Sequence, residues 1–121
     1  VMTGLGELPG GDFVSQADGV SADGSVVVGQ SNSASGDEAF IWDSVHGMRS
    51  LRDVLINDFG LGPQLNGWTL SHATDISNDG MNIVGWGYVN GDRRAWFANI
   101  PEPATLSLLG LGGLLVTRRR R

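Results

Sequence analysis

The stretch Ser15–Trp42, SQADGVSADGSVVVGQSNSASGDEAFIW, recurs fifty-six residues later as Ser71–Ala98, SHATDISNDGMNIVGWGYVNGDRRAWFA. The two segments align without a gap and share eight identities in twenty-eight positions. Conservative exchanges accompany them, such as Val20 for Ile76. Because a repeat of this length matches one supersecondary unit, the sequence predicts two copies of the same small structure.

Each copy has the composition of consecutive antiparallel strands. Asp-Gly pairs, with the turn glycines Gly24 and Gly80, separate β-prone runs and favour two-residue hairpin turns with positive φ. The runs that follow, SVVVG and NIVGWG, are typical of strands buried on both faces. A polar loop (SNSASGD or YVNGD) then precedes a strand that carries aromatic residues (EAFIWD or RRAWFANI). The nineteen glycines agree with many tight turns.

One amphipathic helix is predicted between the copies, in SLRDVLINDFG. Its apolar side chains form one stripe that can pack on a sheet, at Leu51, Val54, Leu55 and Phe59. Ser50 and Asp53 form an approximate capping box at its start. Gly60 suits its end, and Pro63 prevents continuation.

The pattern divides the chain into five segments. HGMRSL can supply a fourth strand to the first copy, and its GMRSL is echoed by VMTGL at Val1–Leu5. We therefore expect residues 1–14 to end a truncated upstream repeat, and the chain to be a fragment or a mature product. The later segments are repeat 1 (15–50), a helical insertion and loop (51–70), repeat 2 (71–100) and a C-terminal signal (101–121).

The repeat resembles the HAF-type repeat of bacterial extracellular proteins. The resemblance rests on GVSADGSVVVGQS, EAFIW and GMRSL in the first copy, and on DISNDGMNIVGWG and RAWF in the second. It implies four-stranded units similar to propeller blades. Two blades are too few to close a propeller. The predicted fold class is therefore all-β, with two blade-like antiparallel sheets, one inserted helix and a short hydrophobic C-terminal helix.

The charge is distributed unevenly along the chain. The net charge is −5, but residues 1–100 hold twelve acidic residues against four arginines. An acidic body repels phosphate backbones, so nucleic acid is not an expected partner. Cysteine is absent, which excludes disulfides and thiolate chemistry and leaves export open.

The tail PEPATLSLLGLGGLLVTRRRR has three parts. The prolines of Pro101-Glu102-Pro103 disfavour regular pairing and give a stiff linker. Ala104–Thr117 is uncharged and spans about 21 Å as a helix, less than the bilayer core. Its apolar residues form the predicted membrane segment: Ala104, Leu106, Leu108, Leu109, Leu111, Leu114, Leu115 and Val116. The basic run Arg118, Arg119, Arg120 and Arg121 is a predicted cytoplasmic stop.

This tail resembles the PEP-CTERM sorting signal in all three parts. The resemblance implies recognition by an exosortase, a membrane transpeptidase-like enzyme, and cleavage near Pro-Glu-Pro. It also implies a Gram-negative-type envelope, transient anchoring in the inner membrane, and often exopolysaccharide or biofilm production. The expected location is the cell surface or the extracellular space.

No catalytic, metal or cofactor site is predicted. His46 and His72 stand outside any zinc or serine-hydrolase motif. DISNDG imitates the start of a calcium loop, but the twelfth position, where a carboxylate is needed, is Trp86. Asp37 and Glu38 are predicted to be solvated, because arginines stand at the aligned positions.

The four tryptophans, Trp42, Trp68, Trp86 and Trp96, offer either core packing or a stacking platform for sugars. Phe40 aligns with Trp96, and recurring aromatics on a strand favour core between the sheets. Trp86 aligns with Gln30, so it is the candidate ligand-contacting aromatic.

The sequence thus predicts an exported, non-enzymatic repeat protein. The alternative is a module that binds carbohydrate or another surface ligand, and an enzyme requires a pocket from further blades.

Overall fold

The computed structural model describes residues 1–100, which form two antiparallel sheets and one short α-helix. The first sheet contains, in spatial order, β1 (Ser15–Val20), β2 (Val26–Ser33), β3 (Gly36–Asp43) and β4 (Gly47–Ser50). The second contains β5 (Trp68–Ile76), β6 (Asn82–Val89) and β7 (Asp92–Asn99). The predicted mostly β fold is confirmed. Within residues 1–100 the sheets form no closed propeller, and the predicted C-terminal helix lies outside the described residues.

From Gln16 and His72 onward, the strand register is the same in both sheets when fifty-six is added to each residue number, and the second sheet has an additional register shift between Leu70 and His72. Ala17 lies opposite Gly29, and Ala73 lies opposite Gly85. In both sheets the register of the first strand shifts directly after this alanine, as a β-bulge does. The repeat in sequence is therefore also a repeat in strand pairing.

The Asp-Gly hairpins are wider than the predicted two-residue turns. In the first, the Ser21 amide donates to the Val26 carbonyl (2.9 Å) and closes a four-residue loop. The Gly24 amide donates to the Ser21 carbonyl (3.0 Å) inside it. A two-residue type I′ turn needs positive φ at both central residues. Only the glycine provides it, with φ of +77° at Gly24 and +78° at Gly80.

The predicted polar loops are mostly strand. β2 and β3 remain paired as far as Ser33 and Gly36, which leaves Ala34 and Ser35 as the turn. In the second sheet the corresponding turn is Asn90-Gly91. The prediction was wrong here because polar side chains on strands can face solvent while the backbone stays paired.

The helix α1 (Leu51–Asn57) begins as predicted and ends earlier than predicted. The Ser50 hydroxyl accepts a hydrogen bond from the Asp53 amide (3.3 Å) and caps the first turn. The chain leaves the helix over Asp58 to Gly60, where Gly60 adopts φ +69°. A 3-10 turn, Pro63–Leu65, leads to β5. No helix within residues 1–100 has the length and apolar character to cross a membrane.

The main core lies between the two sheets and beneath α1. β5 packs across β1, β2 and β3, and α1 packs on β3, β4 and β5. The buried cluster consists of Val28, Ala39, Ile41, Leu51, Val54, Leu55, Leu70, Ala73, Ile76, Ile83, Ala98 and Ile100. Trp68 and Trp96 pack against its edge. Burial of this apolar surface is the main force that holds the sheets together.

Phe40 departs from the prediction that it lies between the sheets. It is fully buried but does not belong to the main cluster. Its neighbours Ala39 and Ile41 face the second sheet, and successive side chains on a strand point to opposite faces. Phe40 is therefore buried on the far side of β3.

Candidate functional site

The second sheet presents an aromatic surface on the side that faces away from the first sheet. Alternate residues of β6 and β7 point to this side, and we call these side chains the outer face: Val84, Trp86, Tyr88, Arg93, Ala95 and Phe97. Within it, Val84, Tyr88 and Phe97 are exposed large apolar or aromatic side chains. Because an exposed apolar patch commonly marks an interaction site, the outer face is the leading candidate site in residues 1–100.

Trp86 is held at the centre of the outer face by neighbours on both adjacent strands. Its indole stacks on the His72 ring, with ring centroids 4.1 Å apart and planes inclined by 16°. The Arg93 guanidinium lies 3.8 Å from the indole centroid, within cation–π range. Tyr88 approaches edge-on, with centroids 6.0 Å apart. The indole is therefore a packed element of the surface.

This packing limits what Trp86 can do. Stacking a sugar ring needs a free face of the indole, and His72 and Arg93 flank the ring from β5 and β7. Tyr88 and Phe97 remain the more accessible rings. The role of Trp86 in ligand contact stays a prediction. The alignment had indicated an unusual aromatic here, but its stacking on His72 depends on cross-strand register that sequence alone did not give.

A second polar cluster joins the β3–β4 turn to the end of α1. One Asp43 oxygen accepts hydrogen bonds from the Val45 amide (2.9 Å) and the His46 amide (2.8 Å), and lies 3.0 Å from His46 Nδ1. Arg49 bridges this carboxylate to Asp58, at 3.4 Å and 3.1 Å. Partial burial raises the pKa of Asp43, but hydrogen bonds from His46 and Val45 outweigh it and lower the pKa overall. This cluster was not predicted from the sequence, in which the Asp43–His46 spacing was its available signal.

The cluster braces the β3–β4 turn against the end of α1. A cavity of about 310 Å³ lies beside it, with apolar walls that include Ile41, Val54 and Phe59. A histidine–aspartate pair can act as a general base toward a side-chain nucleophile, a water or a substrate. Within residues 1–100, no hydroxyl group makes a hydrogen bond to His46.

Glu38 differs from its predicted solvated state, whereas its neighbour Asp37 is exposed. The two Glu38 carboxylate oxygens accept hydrogen bonds from the hydroxyls of Ser33 (2.5 Å) and Ser50 (2.9 Å). The prediction rested on the charges at the aligned positions of the two repeats. The contact with Ser50 depends on β4 and on the helix cap, which have no equivalent within residues 71–100 of the second repeat. Glu38 therefore joins a hairpin end to the start of α1.

The carboxylates of the two Asp-Gly loops are used within the loops themselves. Asp79 accepts hydrogen bonds from the Ser77 hydroxyl (2.6 Å) and the Met81 amide (2.9 Å), which lower its pKa. Asp23 is bonded in the same way, chiefly by Ser25, and its pKa is also lowered. In the part of the chain that the structure describes, no group of three or more acidic or histidine side chains is placed to hold a metal ion.

The last described residues are packed into the fold. The Ile100 amide donates to the Met81 carbonyl (2.7 Å), and the Ile100 side chain is buried in the main core. The next residue is Pro101. The predicted signal, membrane segment and arginine stop, residues 101–121, lie outside the described residues.

Comparison with known families places a defined signal at this end of the chain. The PEP-CTERM protein-sorting motif matches residues 99–121. The C-terminus carries a PEP-CTERM sorting signal. The predicted signal is thereby confirmed, and it implies export, a membrane-associated step at the C-terminus and processing by an exosortase, a membrane enzyme. Comparisons with curated proteins and with solved structures gave no match. The HAF-type resemblance stays a prediction.

Proposed function

We propose that this chain is an exported, non-enzymatic repeat protein that acts at the cell surface or in the extracellular matrix after its C-terminal signal has been processed. The observation that carries the proposal is the position of the signal. The PEP-CTERM motif starts at Asn99, and the fold continues as far as Ile100. A folded domain therefore stands directly before the segment that the exosortase handles.

The polar groups of residues 1–100 support a structural role. Asp43, Arg49 and Asp58 brace a turn against a helix, and Asp23 and Asp79 stabilise loops. A catalytic carboxylate is usually tuned toward the working pH, whereas the pKa values of Asp23, Asp43 and Asp79 are lowered. These groups serve the fold.

Protease treatment of intact cells tests the proposed location. Cells that express the protein with an N-terminal epitope tag are treated with an external protease, and a periplasmic protein serves as the control for envelope integrity. The proposal predicts that the tag is lost from the cells, or found in the medium, while the periplasmic control survives. A tag that is protected together with the periplasmic control would contradict a surface or matrix location.

A second function, binding of carbohydrate such as an exopolysaccharide, is favoured by one observation. Tyr88 and Phe97 are exposed on the same side of the second sheet, beside Arg93, and aromatic rings with nearby polar groups suit sugar contacts. Binding to a glycan array by the wild-type protein is compared with Tyr88→Ala and with the control Val45→Ala, which changes an exposed turn residue. Loss only in Tyr88→Ala would support this function, and equal binding by all three proteins would place any glycan site elsewhere.

A further inference from the structure

The interface between the two sheets shows what covers this kind of sheet face. On the first sheet the contact surface contains Val28, Ala39 and Ile41, which are 0%, 1% and 8% exposed. The second sheet lies over them and contributes Ala73, Ile76, Ile83 and Ala98 to the same cluster. The chain therefore already buries one face of a repeat against the opposite face of the next repeat.

The residues equivalent to the covered ones are uncovered on the second sheet. Adding fifty-six to Val28, Ala39 and Ile41 gives Val84, Ala95 and Phe97, which belong to the outer face. Ala95 is exposed, and Val84 and Phe97 are 41% and 65% exposed. Apolar character is retained at all three positions. At these three positions the outer face is equivalent to a surface that is buried elsewhere in the same molecule, whereas Trp86, Tyr88 and Arg93 stand where the first sheet has Gln30, Asn32 and Asp37.

The other half of the interface also recurs on the first sheet, on the side that faces away from the second. We call Ala17, Val20, Val27 and Trp42 the front face, because they are equivalent to Ala73, Ile76, Ile83 and Ala98. Ala17 is exposed, Val20 is 54% exposed, and Val27 and Trp42 are half-buried. Phe40, on the same side, is fully buried, and the Ser31 hydroxyl there accepts a hydrogen bond from the Leu8 amide (2.9 Å). The chain therefore presents the front face only in part, around Ala17 and Val20.

Two contacts between the sheets join equivalent positions of the two repeats. The Ala22 amide donates to the Asn78 carbonyl (2.9 Å), and a Cβ on Gly19 would lie 3.1 Å from the Asp75 Cα atom. Each contact joins residues exactly fifty-six apart. A second molecule can be placed so that its first sheet lies on the second sheet of the first molecule in the same way as the two sheets lie within one chain. In that position Asn78 of one molecule lies next to Ala22 of the other, and the outer face lies against the front face.

We infer that the outer face binds the front face of a second copy of this chain, in a head-to-tail arrangement. The two surfaces of such a contact differ, so each molecule can bind a partner at both ends. The assembly is a closed ring if the rotation between copies closes, and a growing fibre if it does not. In this arrangement the exported protein forms multimers through its sheet faces.

Two single substitutions of exposed residues test the arrangement by complementation. Phe97→Asp places a charge on the outer face, and Val20→Asp places one on the front face. Each variant keeps one intact face, and Val45→Asp is the control at an exposed turn residue that lies on neither face. Masses are measured by sedimentation velocity on the full-length chain over a range of concentrations. Circular dichroism shows that each variant is folded.

The inference predicts a distinctive set of masses. The wild-type protein and Val45→Asp associate beyond the monomer, whereas Phe97→Asp and Val20→Asp alone stay monomeric. An equimolar mixture of these two variants forms dimers and nothing larger, because one intact outer face meets one intact front face. Monomeric wild-type protein at every concentration would overturn the inference. So would association of both variants to the wild-type extent, which would assign self-association to the tail or to another surface.

Thiol cross-linking tests the register of the same contact. The chain has no cysteine, so only introduced thiols react. The single variants Ala22→Cys and Asn78→Cys are treated, separately and mixed, with a short bifunctional thiol reagent. The inference predicts dimers in the mixture and none in the separate samples. The double variant Ala22→Cys, Asn78→Cys is the positive control, because the reagent can link its two thiols within one chain if the sheets pack as described. Closure of that control without dimers in the mixture would contradict the arrangement.

Discussion

At Gly29 and Gly85 the strands approach so closely that a side chain cannot be accommodated. A Cβ atom on Gly29 would overlap the carbonyl oxygen of Gln16, and one on Gly85 would overlap that of His72. At Gly85 it would also lie 2.6 Å from a ring carbon of Trp96. Both glycines face the bulged part of the neighbouring strand. The repeat therefore retains glycine at these positions for a steric reason.

Replacing Gly85 with alanine is expected to destabilise the fold by about 2 kcal/mol, because the added methyl group forces backbone and Trp96 to shift. The free energy of unfolding is measured by urea denaturation. Gly4→Ala is the matched control, since no atom lies within 4 Å of a Cβ at that position. Equal stability of the two variants would contradict the close approach.

The aspartates of the Asp-Gly loops make stability depend on acid. The pKa values of Asp23 and Asp79 are lowered in the fold, mainly by hydrogen bonds from Ser25 and from Ser77 respectively. A group whose pKa is lowered on folding stabilises the protein above its unfolded pKa, about 3.9 for aspartate, and this contribution is lost as the pH falls through the folded value. The free energy of unfolding should therefore decrease below about pH 4.

The double variant Asp23→Asn, Asp79→Asn is expected to show a shallower acid decrease than the wild-type protein, because neither loop then contains a group that takes up a proton. Urea denaturation over a pH series from about 2 to 6 gives both curves. Parallel curves for the two proteins would show that these loops do not contribute to the acid sensitivity.

At the scale of the elements, α1 depends on Ser50 at two points. The Ser50 hydroxyl accepts from the Asp53 amide and donates to the Glu38 carboxylate. One side chain thus caps the helix and ties it to β3. The helix buries Leu51, Val54 and Leu55 in the main core, so its start has to be held at a fixed position.

Ser50→Ala is expected to cost about 1 kcal/mol of stability, which is typical for the loss of a helix N-cap. Ser50→Thr keeps a hydroxyl at the same position and is the matched control. Thermal denaturation followed by circular dichroism compares the three proteins. A melting temperature of Ser50→Ala equal to that of the wild-type protein would show that the cap does not stabilise α1.

Periodicity and repetition predicted the elements better than they predicted their ends. The Ser50 cap and the third-strand aromatics followed from local pattern, and the offset of fifty-six carried over into strand register. The polar run at Ser31–Asp37 was assigned to a loop because its composition is polar, although backbone pairing continues through it. The burial of Phe40 outside the main core and the hydrogen bonds of Glu38 depend on contacts between segments that are distant in sequence. Local sequence patterns do not encode such contacts.

The candidate site was only partly predictable, for the same reason. Trp86 was identified because it replaces a polar residue of the other repeat. Its packing between His72 and Arg93 is a product of three adjacent strands. The cluster of Asp43, Arg49 and Asp58 forms only when the β3–β4 turn meets the end of α1. The sorting motif, by contrast, is a continuous stretch of sequence and needed no fold to be recognised.

At the scale of the whole molecule, the folded pair of sheets and the sorting signal overlap at Asn99 and Ile100. Ile100 is buried in the core between the sheets, and the PEP-CTERM motif already includes it. The fold and the signal therefore adjoin without a spacer. The body that precedes the signal carries the outer face and the exposed part of the front face.

The most direct measurement is the processing and location of the N-terminally tagged protein in a Gram-negative host that produces an exosortase, compared with the variant Pro101→Ala, Glu102→Ala, Pro103→Ala. Fractionation and immunoblotting give the size and compartment of both. We expect a shortened, exported product from the wild-type protein, and a full-length, cell-associated product from the variant. Equal processing and location of the two proteins, or a cytosolic wild-type product that retains Arg118–Arg121, would contradict the account.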